Sequence, residues 1–88
     1  MKLKYQFAIQ KVFDFYAAVP VGADTNNYHG VISVNETASD IMKFLQEDLS
    51  EDQLVQKMLE IYDVAETDLR PQVVEFVQKL REAGVLVE

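Results

Sequence analysis

The sequence predicts an α+β fold in which a three-stranded antiparallel sheet is followed by three helices. Two patterns carry this prediction. Short runs of alternating apolar residues, with many β-branched and aromatic side chains, fill the chain up to residue 34, and such runs are typical of strands. From residue 38 onward, apolar residues recur every three or four positions, which is the spacing of one helix face. The sheet should therefore precede the helices.

The first two strands are predicted to form a hairpin. Residues 5–12 and 15–21 both alternate, and the dipeptide Phe13-Asp14 between them is a turn signal. Residues 22–27 contain Gly, Asp and Asn, which favour turns, so we expect a water-exposed loop there.

The third strand is predicted to begin at Tyr28 or Gly30 and to end at Val34. Its β-branched residues suit a half-buried pleated surface, and the simplest topology is a meander with this strand at one edge. The strand carries no charge, although natural proteins usually protect such edges with charged residues. An extended peptide could add there as a further strand. The alternative is that a loop or the third helix covers the edge.

The first helix is predicted to start after Asn35, whose side chain can accept a hydrogen bond from a free N–H group, with Thr37 as the alternative cap. Glu36 places a negative charge at the positive end of the helix dipole. The helix is expected to end near Asp48. Its apolar face consists of Ala38, Ile41, Met42 and Leu45.

The second helix has a strong start signal. Ser50 and Gln53 have the spacing of a capping box, and Leu49 can pack against Leu54. Residues 63–67 are predicted to connect this helix to the third. The apolar face consists of Leu54, Val55, Met58, Leu59 and Tyr62.

The third helix is predicted to hold Pro71 in its first turn, where a missing N–H does little harm. Gly84 is expected to end the helix in the left-handed conformation, with Val85 packing back. The predicted core stripe consists of Val73, Phe76, Val77 and Leu80. The stripe is expected to be buried against Ile41, Leu45 and Met58, and replacement of Phe76 by alanine should cost about 3–5 kcal/mol of stability.

Length and charge limit the possible functions. The chain has 88 residues, a net charge of −7 and no cysteine. We expect one domain covering residues 1–88, without disulfides or cysteine-held metals. An acidic chain repels nucleic acid and anionic membranes, and no stretch is apolar enough to span a bilayer. The expectation is a cytoplasmic protein that binds neither.

The residues offer little catalytic chemistry. His29 is the only histidine, and Asp24 is the only acid near it in sequence. A lone imidazole rarely makes a metal site, and a serine nucleophile would need this histidine beside it. We therefore predict no catalytic residue, no metal and no cofactor, and the chain is not expected to be an enzyme.

Three segments together carry a family resemblance. They are Ile32-Ser33-Val34-Asn35-Glu36-Thr37-Ala38, the S-x-x-Q helix ending in Ile61-Tyr62-Asp63, and Val73-x-x-Phe76-Val77-x-x-Leu80-x-x-x-Gly84-Val85-Leu86. In combination they resemble the PqqD family, which comprises proteins similar to coenzyme PQQ synthesis protein D and is also known as RiPP recognition elements. The resemblance extends from about residue 5 to residue 88. It implies a winged helix-turn-helix-like fold.

The resemblance also implies a peptide-binding adaptor. Such proteins bind the leader of a ribosomally made precursor peptide and deliver it to a modifying enzyme, often a radical SAM enzyme, in PQQ biosynthesis or another RiPP pathway. The leader pairs with the third strand and lies against the third helix. Carried onto this chain, the expected peptide-binding residues are Val31, Ile32, Ser33 and Val34 as a floor, and Val74, Gln78 and Arg81 as a wall beside the core stripe. The chain is expected to be a monomer or a dimer.

Two other functions are compatible with the pattern. A winged-helix DNA-binding regulator would need a basic recognition helix, whereas the third helix mixes Arg70, Lys79 and Arg81 with acidic residues. A general protein-interaction module is the third hypothesis. A precursor gene and a radical SAM gene beside this one would favour the adaptor over that module.

Overall fold

The computed structural model describes residues 1–22 and 30–88. Three strands and three helices follow one another in the predicted order, and one further short strand lies on either side of them. The elements are β1 (Lys2–Leu3), β2 (Phe7–Val12), β3 (Phe15–Pro20), β4 (Ile32–Val34), α1 (Glu36–Phe44), α2 (Glu51–Ile61), α3 (Glu66–Glu82) and β5 (Leu86–Val87). His29 and most of the predicted loop at residues 22–27 lie outside the described residues.

The main sheet has the predicted topology. Strands β2, β3 and β4 are antiparallel neighbours in that order, so the meander is confirmed and β4 lies at one edge. The turn at Phe13-Asp14 is confirmed as the two-residue connection between β2 and β3. Strand β4 starts at Ile32, later than the predicted Gly30, and the other predicted start, Tyr28, lies outside the described residues.

Helix α1 begins as predicted but ends early. Oδ1 of Asn35 accepts a 2.8 Å hydrogen bond from the Ala38 N–H, so Asn35 is the cap and the alternative, Thr37, is wrong. The helix ends at Phe44 and not near Asp48.

The N-terminal segment explains this early end. The Leu45 carbonyl accepts a 2.8 Å hydrogen bond from the Leu3 N–H, and the Leu49 N–H donates to the Met1 carbonyl at 2.9 Å. In a continuous helix, Leu49 would have donated to Leu45. The segment around β1 instead hydrogen-bonds the Leu45 carbonyl and the Leu49 N–H, so α1 ends earlier.

Helix α2 starts with the predicted capping box. The Ser50 hydroxyl accepts from the Gln53 N–H at 3.1 Å, and Oε1 of Gln53 accepts from the Ser50 N–H at 2.9 Å. Leu49 and Leu54 are both buried in the core, as the predicted hydrophobic staple requires.

Helix α3 begins five residues before Pro71, so the prediction that this proline lies in the first turn is wrong. Pro71 cannot donate to the Thr67 carbonyl, and the helix loses one hydrogen bond. Both residues are exposed, so water can hydrate that carbonyl. Acidic residues in the first turn, Glu66 and Asp68, favour the earlier start.

The end of α3 is confirmed in detail. Gly84 has φ of 75°. Its N–H donates to the Arg81 carbonyl at 3.1 Å, and the Val85 N–H donates to the Leu80 carbonyl at 3.2 Å. This pair of hydrogen bonds is a Schellman motif. Val85 is fully buried against the core, as predicted.

One core lies between the inner face of the sheet and the three helices. Its fully buried members are Ala18, Ile41, Met42, Leu45, Leu54, Val55, Met58, Val73 and Val85, with Val77 and Leu80 almost as buried. Phe76 is only partly buried and packs at the margin of this cluster. Its prediction as a full member of the core is wrong, because the α3 stripe has an edge and Phe76 lies on it.

Strand β1 pairs with β5, with Leu3 opposite Leu86. Sequence analysis missed these strands because two residues are too few to show a period. Among the described residues, no helix has the length and apolar character needed to cross a membrane.

Candidate functional site

The outer edge of β4 presents free backbone groups at Ser33. In an antiparallel pair, opposite residues alternate between those that exchange hydrogen bonds and those that do not. The Val21 N–H donates to the Gln6 carbonyl at 3.1 Å, so these two residues form a hydrogen-bonded pair. Every second residue pair between β2 and β3, counted from this one, is then also hydrogen-bonded, and the pair that contains Ala17 is one of them. Ala17 therefore bonds towards β2, and its β4 neighbour Ser33 receives no bond from it. The N–H and C=O of Ser33 must point away from β3.

Nothing in residues 1–22 and 30–88 occupies this edge. Sheet pairing reaches β4 from β3 alone, and no other backbone group of the described residues bonds to Ser33. The predicted open edge is therefore present over the described part of the chain. A peptide strand laid alongside would find one donor and one acceptor already aimed at it.

A groove runs between β4 and α3, and its first part is mostly apolar. We call this part the apolar compartment; its volume is about 240 Å³. Ala38 and Ala83 contribute only methyl groups, which leaves room between the strand and the helix. The lining residues are Ile32, Ser33, Val34, Asn35, Ala38, Phe76, Lys79, Leu80 and Ala83.

The second part of the groove lies beyond the C-terminal end of β4. We call it the polar compartment; its volume is about 190 Å³. Lys79 Nζ lies 3.7 Å from Oε1 of Glu75. These two residues give the polar compartment a hydrogen-bond donor and an acceptor side by side. The lining residues are Asn35, Thr37, Ala38, Ile41, Gln72, Glu75, Phe76 and Lys79. Phe76 borders both compartments.

Three of the four strand residues predicted to bind peptide lie at this groove. Ile32, Ser33 and Val34 line the apolar compartment, with Val34 buried, Ile32 half-buried and Ser33 exposed. Val31 precedes β4, is 59% exposed and is not among the lining residues.

The helix residues predicted to form the wall lie elsewhere. Val74, Gln78 and Arg81 are exposed but line neither compartment. At 3.6 residues per turn they lie on the flank of α3 opposite Phe76, with the buried stripe between the two flanks. The stripe has two edges, and the sequence alone did not indicate which one faces β4. In the structure, the α3 residues that line the groove are those of the flank that bears Phe76.

Arg81 is engaged on that opposite flank. Its guanidinium donates to both carboxylate oxygens of Glu88, at 2.8 and 2.7 Å, and to Oε1 of Gln78 at 2.7 Å. Hydrogen bonding to Glu88 raises the pKa of Arg81, and hydrogen bonding to Arg81 lowers the pKa of Glu88. These contacts hold Arg81 beside the end of the chain and away from the groove.

Sequence reasoning did not assign Lys79 or Ala83 to the groove, and it placed Phe76 in the core and not at the groove. Phe76, Lys79 and Ala83 occur at positions i, i+3 and i+7, which lie on one helix flank. One signal was available: Phe76 is the largest member of the stripe, and a small residue, Ala83, follows it seven positions later.

Two serine hydroxyls of the described residues are engaged at helix starts. The Ser39 hydroxyl donates to the Glu36 carbonyl at 2.6 Å, and the Ser50 hydroxyl caps α2. Within the described part of the chain, His, Asp and Glu residues nowhere gather in a group of three that would hold a metal ion. An extended backbone and a few side chains are what the β4 edge and its groove can accommodate.

Comparison with known proteins agrees with this geometry. A solved structure titled "TbiB1 in Complex with the TbiA(beta) Leader Peptide" matches with a TM-score of 0.68 and 15% sequence identity, over 98% of this chain and 94% of that one. At that identity the likeness shows a shared fold. A search of curated protein sequences finds no match. The family described as Coenzyme PQQ synthesis protein D (PqqD) matches residues 21–86, which is most of the chain and includes β4, all three helices and the groove. The chain belongs to the PqqD family.

Proposed function

We propose that this protein is an adaptor that binds the leader segment of a ribosomally made precursor peptide and presents it to a modifying enzyme. The observation that carries the proposal is the open edge of β4 beside the groove. Strand addition to such an edge uses backbone hydrogen bonds for affinity and side-chain pockets for specificity, and both are available here. The structural neighbour TbiB1 is in complex with a leader peptide, which supports the same use of this fold.

The leader adds antiparallel to β4 in this proposal. Its backbone pairs with Ser33, and alternate side chains turn into the groove against α3. The groove borders on Phe76, which presents an aromatic ring to the incoming chain. The binding residues are those of β4 together with the α3 flank that bears Phe76 and Lys79.

The modifying enzyme is the second partner. A bound leader holds the precursor while its remaining residues stay free for the enzyme, and a radical SAM enzyme is the expected type. The adaptor itself supplies no catalytic group and no cofactor. It acts as a single recognition domain in the cytoplasm, as a monomer or a dimer.

An NMR titration with the precursor peptide encoded beside this gene tests the proposal. The amide signals of residues 30–34 and of the groove side of α3 should shift in a saturable manner. If the shifts were confined to α2 while residues 30–34 stayed silent, β-strand addition would be excluded.

A further inference from the structure

The two compartments of the groove repeat with a fixed spacing along α3. The residues of α3 that line the polar compartment are Gln72, Glu75, Phe76 and Lys79, and those that line the apolar compartment are Phe76, Lys79, Leu80 and Ala83. The second set is the first set moved by four positions. Four residues of helix correspond to about 6 Å.

This spacing matches an added strand. Two residues of a β-strand span about 6.6 Å, and residues i and i+2 point to the same side. A peptide paired with β4 would therefore place one side chain in each compartment, with one residue between them that points outward.

The order of the two compartments is also fixed. Strand β4 runs from Ile32, which lines the apolar compartment, towards Asn35, and only the polar compartment extends beyond to Thr37. An antiparallel peptide runs in the opposite direction. Its N-terminal side chain meets the polar compartment first, and its side chain two residues later meets the apolar compartment.

We infer that the peptide recognised by this chain carries a polar–x–apolar motif in the N-to-C direction. The first side chain is a hydrogen-bonding one, because the paired Glu75 and Lys79 supply an acceptor and a donor to the polar compartment. The last side chain is a large apolar one, because Ala38 and Ala83 leave space against Phe76 and Leu80. This inference rests on the proposed function, since it assumes that a peptide adds to β4.

Selection from a library of random peptides tests the motif without the natural precursor. Phage-displayed peptides are selected on the immobilised chain and then sorted by whether Ser33→Pro abolishes their binding. We expect the Ser33-dependent binders to align on a polar residue followed, two positions later, by a Leu, Ile, Phe or Met. Ser33-dependent binders with the order reversed, or with apolar residues at both positions, would overturn the inference and leave the proposed function intact. If no binder depended on Ser33, both would be overturned.

The two alanines that cap α3, Ala65 and Ala83, provide a matched pair of variants. Ala83→Leu fills the apolar compartment and should weaken binding of a fluorescent selected peptide about tenfold or more, as expected for loss of one buried side chain. Ala65→Leu makes the same change at the exposed far end of α3 and should leave the affinity unchanged. Equal affinities for the wild type and Ala83→Leu would contradict the assignment of the apolar compartment.

The fold of Ser33→Pro is checked by circular dichroism. If that variant does not fold, the amide shifts of residues 30–34 in the wild type replace it as the criterion. A selected peptide that shifts them binds at β4, and one that does not counts against strand addition.

Discussion

Tyr62 Oη donates a 2.5 Å hydrogen bond to Oδ2 of Asp40, which joins the end of α2 to the middle of α1. Burial, followed by the hydrogen bond to Asp40, raises the pKa of Tyr62 from 10.0 to about 12.

Replacing this tyrosine should have a pH-dependent effect. We expect Tyr62→Phe to lower the free energy of unfolding by about 1 kcal/mol near neutral pH, because it removes one partly buried hydrogen bond. The pKa in the fold lies above the unfolded value, so the protonated form favours folding. The contribution is complete below about pH 10 and is lost as the pH rises through about 12. Urea denaturation of both proteins across that range measures it, and a difference that stays constant at high pH would contradict this account.

Alanine substitutions at the centre and at the margin of the hydrophobic core should differ in their cost to stability. Leu54 is fully buried, whereas Phe76 is partly buried and borders the groove. Leu54→Ala should cost about 2–5 kcal/mol, and Phe76→Ala should cost clearly less while weakening peptide binding. Chemical denaturation of the two variants, with a peptide titration on each folded protein, gives the comparison. A Phe76→Ala protein less stable than Leu54→Ala would restore Phe76 to the core.

Local signals predicted most of the fold. The cap at Asn35, the box formed by Ser50 and Gln53, and the stop at Gly84 each depend on residues within a few positions of one another. Such features are encoded locally, so they can be predicted from the sequence alone.

Two features of the structure do not depend on such local signals. The end of α1 depends on hydrogen bonds from residues more than 40 positions away, at Met1 and Leu3. The wall of the groove depends on which flank of α3 turns towards β4, and Val74 and Phe76 are equally compatible with the helical period. Tertiary contacts therefore determine both where α1 ends and which flank of α3 lines the groove.

The turn between β2 and β3 holds Phe13 in a backbone conformation that is unfavourable for a large side chain. Phe13 has φ of 57° and is 89% exposed. An L-residue with a large side chain pays about 1–2 kcal/mol in this region, whereas asparagine tolerates it. We expect Phe13→Asn to relieve part of this strain and to raise the free energy of unfolding by about 0.5–1 kcal/mol. Phe15→Asn is the control, because Phe15 is an ordinary strand residue and its replacement should destabilise. A thermal melt in which Phe13→Asn unfolded at a lower temperature than wild type would refute this.

The protein should not bind duplex DNA. The three basic residues of α3 are all paired within the protein: Arg70 contacts Asp52 at 2.9 Å, Lys79 contacts Glu75 at 3.7 Å and Arg81 contacts Glu88 at 2.7 Å. With a net charge of −7, no counterion release would drive association. Fluorescence anisotropy with a labelled random duplex in physiological salt should show no change. Micromolar, salt-sensitive binding would revive the DNA-binding alternative.

Ser33 separates the backbone contribution to peptide binding from that of the side chain. Its N–H points away from β3, so proline at this position removes a donor from the open edge without removing a hydrogen bond between β3 and β4. We expect Ser33→Pro to keep the fold and to weaken binding of the leader peptide about tenfold, the effect of losing one hydrogen bond at an interface. Ser33→Ala keeps the N–H and removes only the exposed hydroxyl, so it should bind like wild type. Isothermal calorimetry with the precursor peptide measures all three proteins, after circular dichroism has shown that each is folded. If Ser33→Ala lost as much affinity as Ser33→Pro, the hydroxyl would be the binding group; if neither lost any, the peptide would bind elsewhere than at the β4 edge.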